Sequence, residues 1–126
     1  MANKKKILIV DDEQDIQTYL STLLEDNGYD TLLANDGEEA LKQVEVSLPD
    51  LITLDISMPE KSGIKFYRDM KAEDRLKHIP IIIVTGISED FKKFISTRQQ
   101  VPPPEGYLSK PIDKEEILTL VRKFIS

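Results

Sequence analysis

The 126-residue sequence predicts an α/β fold: a doubly wound, five-stranded parallel sheet flanked by five helices. Short apolar runs alternate with longer stretches of helical period, the pattern of βα units. The third run is apolar almost without interruption, as expected of a strand covered on both faces. No repeat, low-complexity tract or linker divides the chain, so residues 1–126 read as one domain, long enough to bury a core without staples.

Ile7-Leu8-Ile9-Val10 is the first strand. After Asp11-Asp12, the residues Ile16, Tyr19, Leu20, Leu23 and Leu24 recur at helical spacing, and Asn27-Gly28 supplies a stop. Thr31-Leu32-Leu33-Ala34 is a weaker second strand, closed by Asp36-Gly37. A second helix carries Ala40, Leu41 and Val44 and ends before Pro49; Leu51-Ile52-Thr53-Leu54 is the third strand. Gly63 opens a third helix with Phe66, Tyr67 and Met70 facing inward. Pro80 precedes the fourth strand, where a missing N–H costs least. That strand, Ile81-Ile82-Ile83-Val84, is the most β-prone segment of the chain.

A fourth helix is expected from about Glu89 to Gln99, with Phe91, Phe94 and Ile95 on one face. Val101-Pro102-Pro103-Pro104-Glu105-Gly106 cannot be helical and reads as a stiff loop. Tyr107-Leu108-Ser109 is a short fifth strand. The last helix starts at Asp113, with Glu116 as the second half of a capping box and Ile117, Val121, Phe124 and Ile125 as its buried stripe. Right-handed crossovers then place helices on both faces of the sheet.

The totals exclude several function classes. A net charge of −6 argues against nucleic-acid binding by this chain, and the Lys4–Lys6 run is short enough to be a solvated approach to the first strand. The absence of cysteine excludes disulfides and thiolate metal or redox sites. No apolar stretch approaches the roughly 18 residues that span a bilayer. The apolar run behind the basic start is too short for a signal-peptide core. A cytoplasmic protein without membrane contact is expected.

The strand ends carry the chemistry. Asp11-Asp12, Asp55, Thr85 and Lys110-Pro111 each follow an apolar run, and open α/β sheets bind ligands at that carboxyl edge. Adjacent strands lie about 4.8 Å apart. If the first and third are neighbours, as in the flavodoxin-like order 2-1-3-4-5, the acids come within reach of one small ion. Clustered carboxylates repel unless a cation joins them, and oxygen-only ligation with room for water favours Mg²⁺.

Each residue also has a plainer reading. Asp55 can be a loop cap, and Asp12 can cap the helix that follows it. Thr85 can be an ordinary β-branched strand residue, and Tyr107 ordinary strand packing. Lys110 can be a surface lysine, although a following proline forces it extended and aims the ammonium back over the sheet edge. Gly86 allows close approach of an anion to the backbone. His78, the single histidine, reads as a surface loop residue.

Taken in order, Ile7–Asp12, Asp55–Pro59 with Gly63, Thr85-Gly86 and Tyr107–Pro111 resemble the response-regulator receiver domains of two-component signalling, over essentially the whole chain. The resemblance implies that Asp55 accepts a phosphoryl group from a phosphohistidine. It implies Mg²⁺ held by Asp11, Asp12, Asp55 and the backbone carbonyl of Ser57. Lys110 would pair with Asp55 and then with the phosphoryl oxygens, which would also meet the Thr85 hydroxyl and the N–H groups of Ser57 and Gly86. The Lys110–Pro111 peptide would be cis. Thr85 and Tyr107 would form a switch acting on the face of the fourth helix, fifth strand and fifth helix. The donor would be a sensor histidine kinase or a histidine phosphotransfer protein. The only chemistry would be slow self-directed phosphotransfer and autodephosphorylation, in a monomer or a weak phosphorylation-dependent dimer.

The chain departs from that pattern in a longer stretch between Thr85 and Lys110, carrying Pro102-Pro103-Pro104, and in Gly86, where many relatives have alanine. No effector sequence follows Ser126, which fits a stand-alone receiver or one detached from a longer protein; its downstream target is not written in these residues. An Mg²⁺-dependent phosphatase with an aspartyl nucleophile is an alternative. Such enzymes carry a second acid two residues after the nucleophile, where this chain has Ser57. A flavin carrier would want a hydroxyl- and glycine-rich loop after the first strand, where Asp11-Asp12-Glu13 would repel phosphate.

Overall fold

The computed structural model describes residues 4–56, 62–86 and 104–125. The described strands are β1 (Lys6–Val10), β2 (Asp30–Ala34), β3 (Leu51–Asp55), β4 (Ile81–Thr85) and β5 (Gly106–Ser109). The described helices are α1 (Gln14–Asp26), α2 (Gly37–Val46), α3 (Ser62–Ala72) and the C-terminal helix α4 (Lys114–Ile125). The helix expected between Glu89 and Gln99 lies outside the described residues, as do Ser57, Pro102 and Pro103.

The strands form one parallel sheet in the order β2-β1-β3-β4-β5, the order expected from the sequence. Alternate side chains leave opposite faces. Leu8, Val10, Ile52, Leu54, Ile81 and Ile83 pack with Ala40, Val44, Phe66, Tyr67 and Met70 of α2 and α3. Ile7, Ile9, Leu51, Ile82, Val84 and Leu108 pack with Leu20, Leu24, Ile117 and Val121 of α1 and α4. Every residue of β3 and β4 is buried, so the two central strands hold their ends in fixed positions.

Local chemistry sets the helix ends, with three corrections to the sequence reading. Asp12 does not cap α1. The N-cap is Glu13, without a side-chain bond of its own, and it is Asp11 Oδ1 that accepts the Glu13 N–H at 2.9 Å. Tyr19 is also not part of the buried stripe: it is 41% exposed, and the buried arc of α1 runs through Gln17, Leu20 and Leu24. Gln17 tolerates burial because its amide donates to the Asp11 carbonyl at 2.6 Å and to Asn35 Oδ1 at 2.8 Å. Asp36 caps α2 through the Glu39 N–H, and Asp113 accepts from the Glu116 N–H at 2.9 Å as expected. Ile117 and Val121 are buried, whereas Phe124 and Ile125 are covered only in part. His78 is exposed, as expected.

At the opposite edge of the sheet from Asp55, Lys71 is buried with its side chain 2% exposed and pairs with Glu105 at 3.2 Å. Its ammonium also donates to the Lys77 carbonyl at 3.3 Å and lies 5.7 Å from the Tyr67 ring centroid. Glu105 is doubly tied to Ile81: its side chain accepts the Ile81 N–H at 2.7 Å, and its own N–H donates to the Ile81 carbonyl at 3.1 Å. Removing one partner of such a buried pair typically costs about 3–5 kcal/mol. The pair therefore anchors the chain just before β5.

Gly63 packs the start of α3 against the end of β3. A Cβ at this position would sit 2.5 Å from the Asp55 carbonyl oxygen and 3.1 Å from Ile56 Cα, both backbone atoms. Gly63→Ala is expected to cost about 1–3 kcal/mol, in the range of overpacked cores. Urea unfolding should show an earlier midpoint at unchanged slope. An unaltered midpoint would mean that α3 can shift away from β3 at little cost.

Candidate functional site

The register of the sheet assembles the site. Val10 of β1 lies opposite Leu54 of β3, so Asp11 and Asp55 leave adjacent strands at the same edge. Asp55 pairs in register with Val84 and Thr85 with Ser109, which carries the edge across to β5. Beyond β5, the Lys110 N–H donates to the Thr85 carbonyl at 2.9 Å and the Lys110–Pro111 peptide is cis. The Lys110 side chain then reaches the ends of β3 and β1.

Its ammonium meets three carboxylates. Nζ lies 2.9 Å from Glu13 Oε1, 3.2 Å from Asp11 Oδ2 and 3.2 Å from Asp55 Oδ2. Asp11 and Asp55 are each only 2% exposed, while Asp12 and Glu13 are exposed. One ligand atom from each of these four acids lies within 4.8 Å of the others. The aliphatic stem of Lys110 runs beside Gly86, where an added Cβ would lie 3.5 Å from Lys110 Cδ, at ordinary contact distance. Thr85 is buried at the end of β4. Tyr107, half-buried, packs on the α2–α3 side of the sheet.

Burial raises the Asp11 carboxyl above its ordinary range. The Glu13 backbone N–H and the Lys110 ammonium oppose that shift, and the charge of Asp55 adds to it. Burial alone would lower the Lys110 ammonium. The hydrogen bond that Lys110 donates to Glu13 and the charges of Asp55 and Asp11 outweigh it and hold Lys110 well above the usual lysine value. Among the described residues, the Lys110 ammonium meets three of the four clustered carboxylates, so the cluster carries more acids than ammonium groups. Its all-oxygen donor set, half buried and half open to water, fits a hard divalent cation that retains some of its waters. Mg²⁺ meets that description.

Of the residues singled out in the sequence, Asp11, Asp12, Asp55 and Lys110 converge within one cluster, with Thr85 and Gly86 beside it. Ser57 lies outside the described residues. Sequence reasoning used Glu13 only as one of three acids that would repel a flavin phosphate, and gave no role to Gln17. Glu13 makes the shortest of the three Lys110 contacts, and its one sequence signal was its place directly after Asp11-Asp12. Gln17 holds the Asp11 carbonyl from behind, and a polar residue on a helix gives no such signal.

A parallel five-stranded sheet with paired acids, a third acid and a lysine at its carboxyl edge defines a class. The chain belongs to the response-regulator receiver family of two-component signalling, and residues 7–122 match the family model described as "Response regulator receiver domain". It is similar to the alkaline phosphatase synthesis transcriptional regulatory protein PhoP of Bacillus subtilis, with 37% identity over 96% of this chain and 48% of PhoP. It is also similar to the polar-differentiation response regulator DivK of Brucella anthropi, with 33% identity over 96% of both chains. Among solved structures, the chemotaxis protein CheY4 of Vibrio cholerae matches at a TM-score of 0.84 and 30% identity, over 98% of this chain and 100% of CheY4. The chain thus spans about half the length of PhoP and nearly all of DivK.

The two shifted groups affect stability in the same sense. Asp11 binds its proton more tightly in the folded chain. The stability linked to it is full in acid and falls as pH rises through its folded-state value. Lys110 also has a raised value, so its contribution is full below the ordinary lysine range and is lost only as strong alkali titrates it in the folded state. Asp11→Asn copies the neutral carboxyl. In metal-free buffer it should raise Tm at neutral pH, with the gain shrinking toward zero in acid. Equal Tm values at neutral pH would show that the Lys110 contact cancels the cost of burying the Asp11 charge.

Proposed function

We propose that residues 1–126 act as the phosphoacceptor receiver domain of a two-component phosphorelay, with Asp55 as the residue phosphorylated. One observation supports this most directly. Asp55 is a buried carboxylate at the end of the central strand β3, with Oδ2 3.2 Å from Lys110 Nζ and a cluster of three further acids beside it. The donor would be a phosphohistidine on a sensor histidine kinase or a histidine phosphotransfer protein.

In the reaction, an Asp55 carboxylate oxygen attacks phosphorus in line with the P–N bond. The O–P bond forms as the P–N bond breaks, and the imidazole nitrogen leaves with the electron pair and takes a proton from water. A loose phosphoryl transition state needs alignment and cations on its equatorial oxygens more than it needs an acid or base. Mg²⁺ held by Asp11, Asp12, Asp55 and the Ser57 backbone carbonyl would neutralise charge on those oxygens. Lys110 neutralises charge from the β5 side, while the Thr85 hydroxyl and the N–H groups of Ser57 and Gly86 donate to the remaining lone pairs. Water later cleaves the acyl phosphate. The chemistry is slow and self-directed, without turnover of outside substrates, since Ser57 offers no second acid.

The signal would leave through Thr85 and Tyr107 to the face built from the helix expected at Glu89–Gln99, β5 and α4, as a shift between two populated states. Among the described residues, no helix is long and apolar enough to cross a membrane, and a cytoplasmic setting suits a partner kinase of this class. PhoP is a transcriptional regulatory protein of which this chain spans 48%, so an attached effector domain is one form in which the receiver could work.

Incubation with a small-molecule acyl phosphate, followed by intact mass measurement, tests the assignment. One labile phosphoryl group is expected, dependent on Mg²⁺ and lost in Asp55→Asn. An adduct that persists in Asp55→Asn would overturn it, and catalytic release of phosphate from unrelated phosphomonoesters would favour an aspartyl phosphatase instead. A phosphoryl mimic should also move the amide resonances of Thr85, Tyr107 and α4. Unmoved resonances there would remove the switch.

A further inference from the structure

A lysine ammonium has three N–H donors and no more. In this chain Lys110 Nζ donates hydrogen bonds to Glu13 Oε1 and Asp55 Oδ2 and lies 3.2 Å from Asp11 Oδ2 in an ion pair, so three carboxylates already compete for its donors. A phosphoryl oxygen arriving on Asp55 must compete with these contacts for an N–H from Lys110.

The three are not equally easy to open. The Asp11 side chain is 3% exposed, and stripping it of Lys110 would leave a buried carboxylate short of a partner. Asp55, 2% exposed, is the group being modified and has to stay within reach of the ammonium. The Glu13 side chain is 60% exposed, so water replaces a lost ion pair there at little cost. Its backbone is nevertheless fixed, because the Glu13 N–H donates to Asp11 Oδ1 at 2.9 Å at the start of α1. Glu13 therefore combines the shortest contact with the cheapest release.

We propose that Glu13 is a positioning residue that occupies one Lys110 donor in the unphosphorylated chain and yields it to the phosphoryl group on Asp55. This rests on the assignment of Asp55 as acceptor. Glu13 acts through Lys110 and touches neither donor nor phosphorus. By holding Lys110 it favours the unphosphorylated state and slows capture of the phosphoryl group, which makes the response depend on a strong donor. A side chain that keeps the length of glutamate without its charge should relax that hold.

Phosphorylation by a small-molecule acyl phosphate at saturating Mg²⁺ is compared in wild type, Glu13→Gln, Lys110→Met and the double variant. Glu13→Gln is expected to be phosphorylated about two- to five-fold faster, the range an exposed ion pair allows. That gain should vanish in the Lys110→Met background, as a double-mutant cycle requires of residues that act through one another. In the metal-free, unphosphorylated protein the ammonium ¹H–¹⁵N correlation of Lys110 should move in Glu13→Gln, a readout that needs no activity.

An equal gain with Lys110 removed would mean that Glu13 acts only as general negative charge. Slower phosphorylation with weaker Mg²⁺ binding would make it a metal ligand, and an unmoved Lys110 ammonium would deny the contact; each overturns the proposal. If wild type itself takes up no phosphoryl group, the acceptor assignment fails. If wild type is phosphorylated and Glu13→Gln matches it, only the role of Glu13 fails.

Discussion

Negative charge crowded onto one edge of the sheet is the constraint around which the rest is arranged. Asp11 and Asp55 are nearly inaccessible to water, and Asp12 and Glu13 crowd the same few ångströms. Left alone, buried carboxylates at this spacing would protonate or force the strand ends apart. The Lys110 ammonium offsets part of that repulsion from a position 55 residues further along the chain than Asp55. It does not offset all of it, which leaves a cluster with a standing demand for positive charge. Under the proposed phosphoacceptor role, that demand is what a divalent ion and an incoming phosphoryl group would meet.

The sheet makes this crowding tolerable. β3 and β4 are buried along their whole length, so the acid at the end of β3 cannot retreat. The neighbouring β1 delivers Asp11 in matching register, and the Gln17 amide braces the Asp11 carbonyl from α1. Gly63 lets α3 begin directly against the Asp55 backbone. None of these contacts touches a ligand. They keep the charged groups at distances where the Coulombic terms are large, in surroundings drier than water.

The strands and their polar ends were legible in the sequence because both signals are local. An apolar run followed by Asp or by Lys-Pro needs no knowledge of the rest of the chain. What escaped was non-local. Helical periodicity put Tyr19 on the buried face of α1, yet that face is set by where α1 meets the sheet, and Gln17 occupies it because two acceptors wait there. Glu13 looked like one more exposed acid until Lys110, 97 residues away in the chain, was found against it. Lys71 was equally silent, since its partner Glu105 lies 34 residues downstream and neither residue announces burial on its own.

The double tie between Glu105 and Ile81 bears on how β5 can move. Glu105 is stitched to the first residue of β4 before the strand begins, and the Lys110 amide is stitched to the last residue of β4 after it ends. With both termini fastened to the same neighbour, the short strand cannot slide lengthwise without breaking main-chain bonds at each extremity. Tyr107 lies between the two fastenings, on a backbone held at both ends. Any lengthwise displacement of β5 would then carry β4 with it, the two strands moving as one plank.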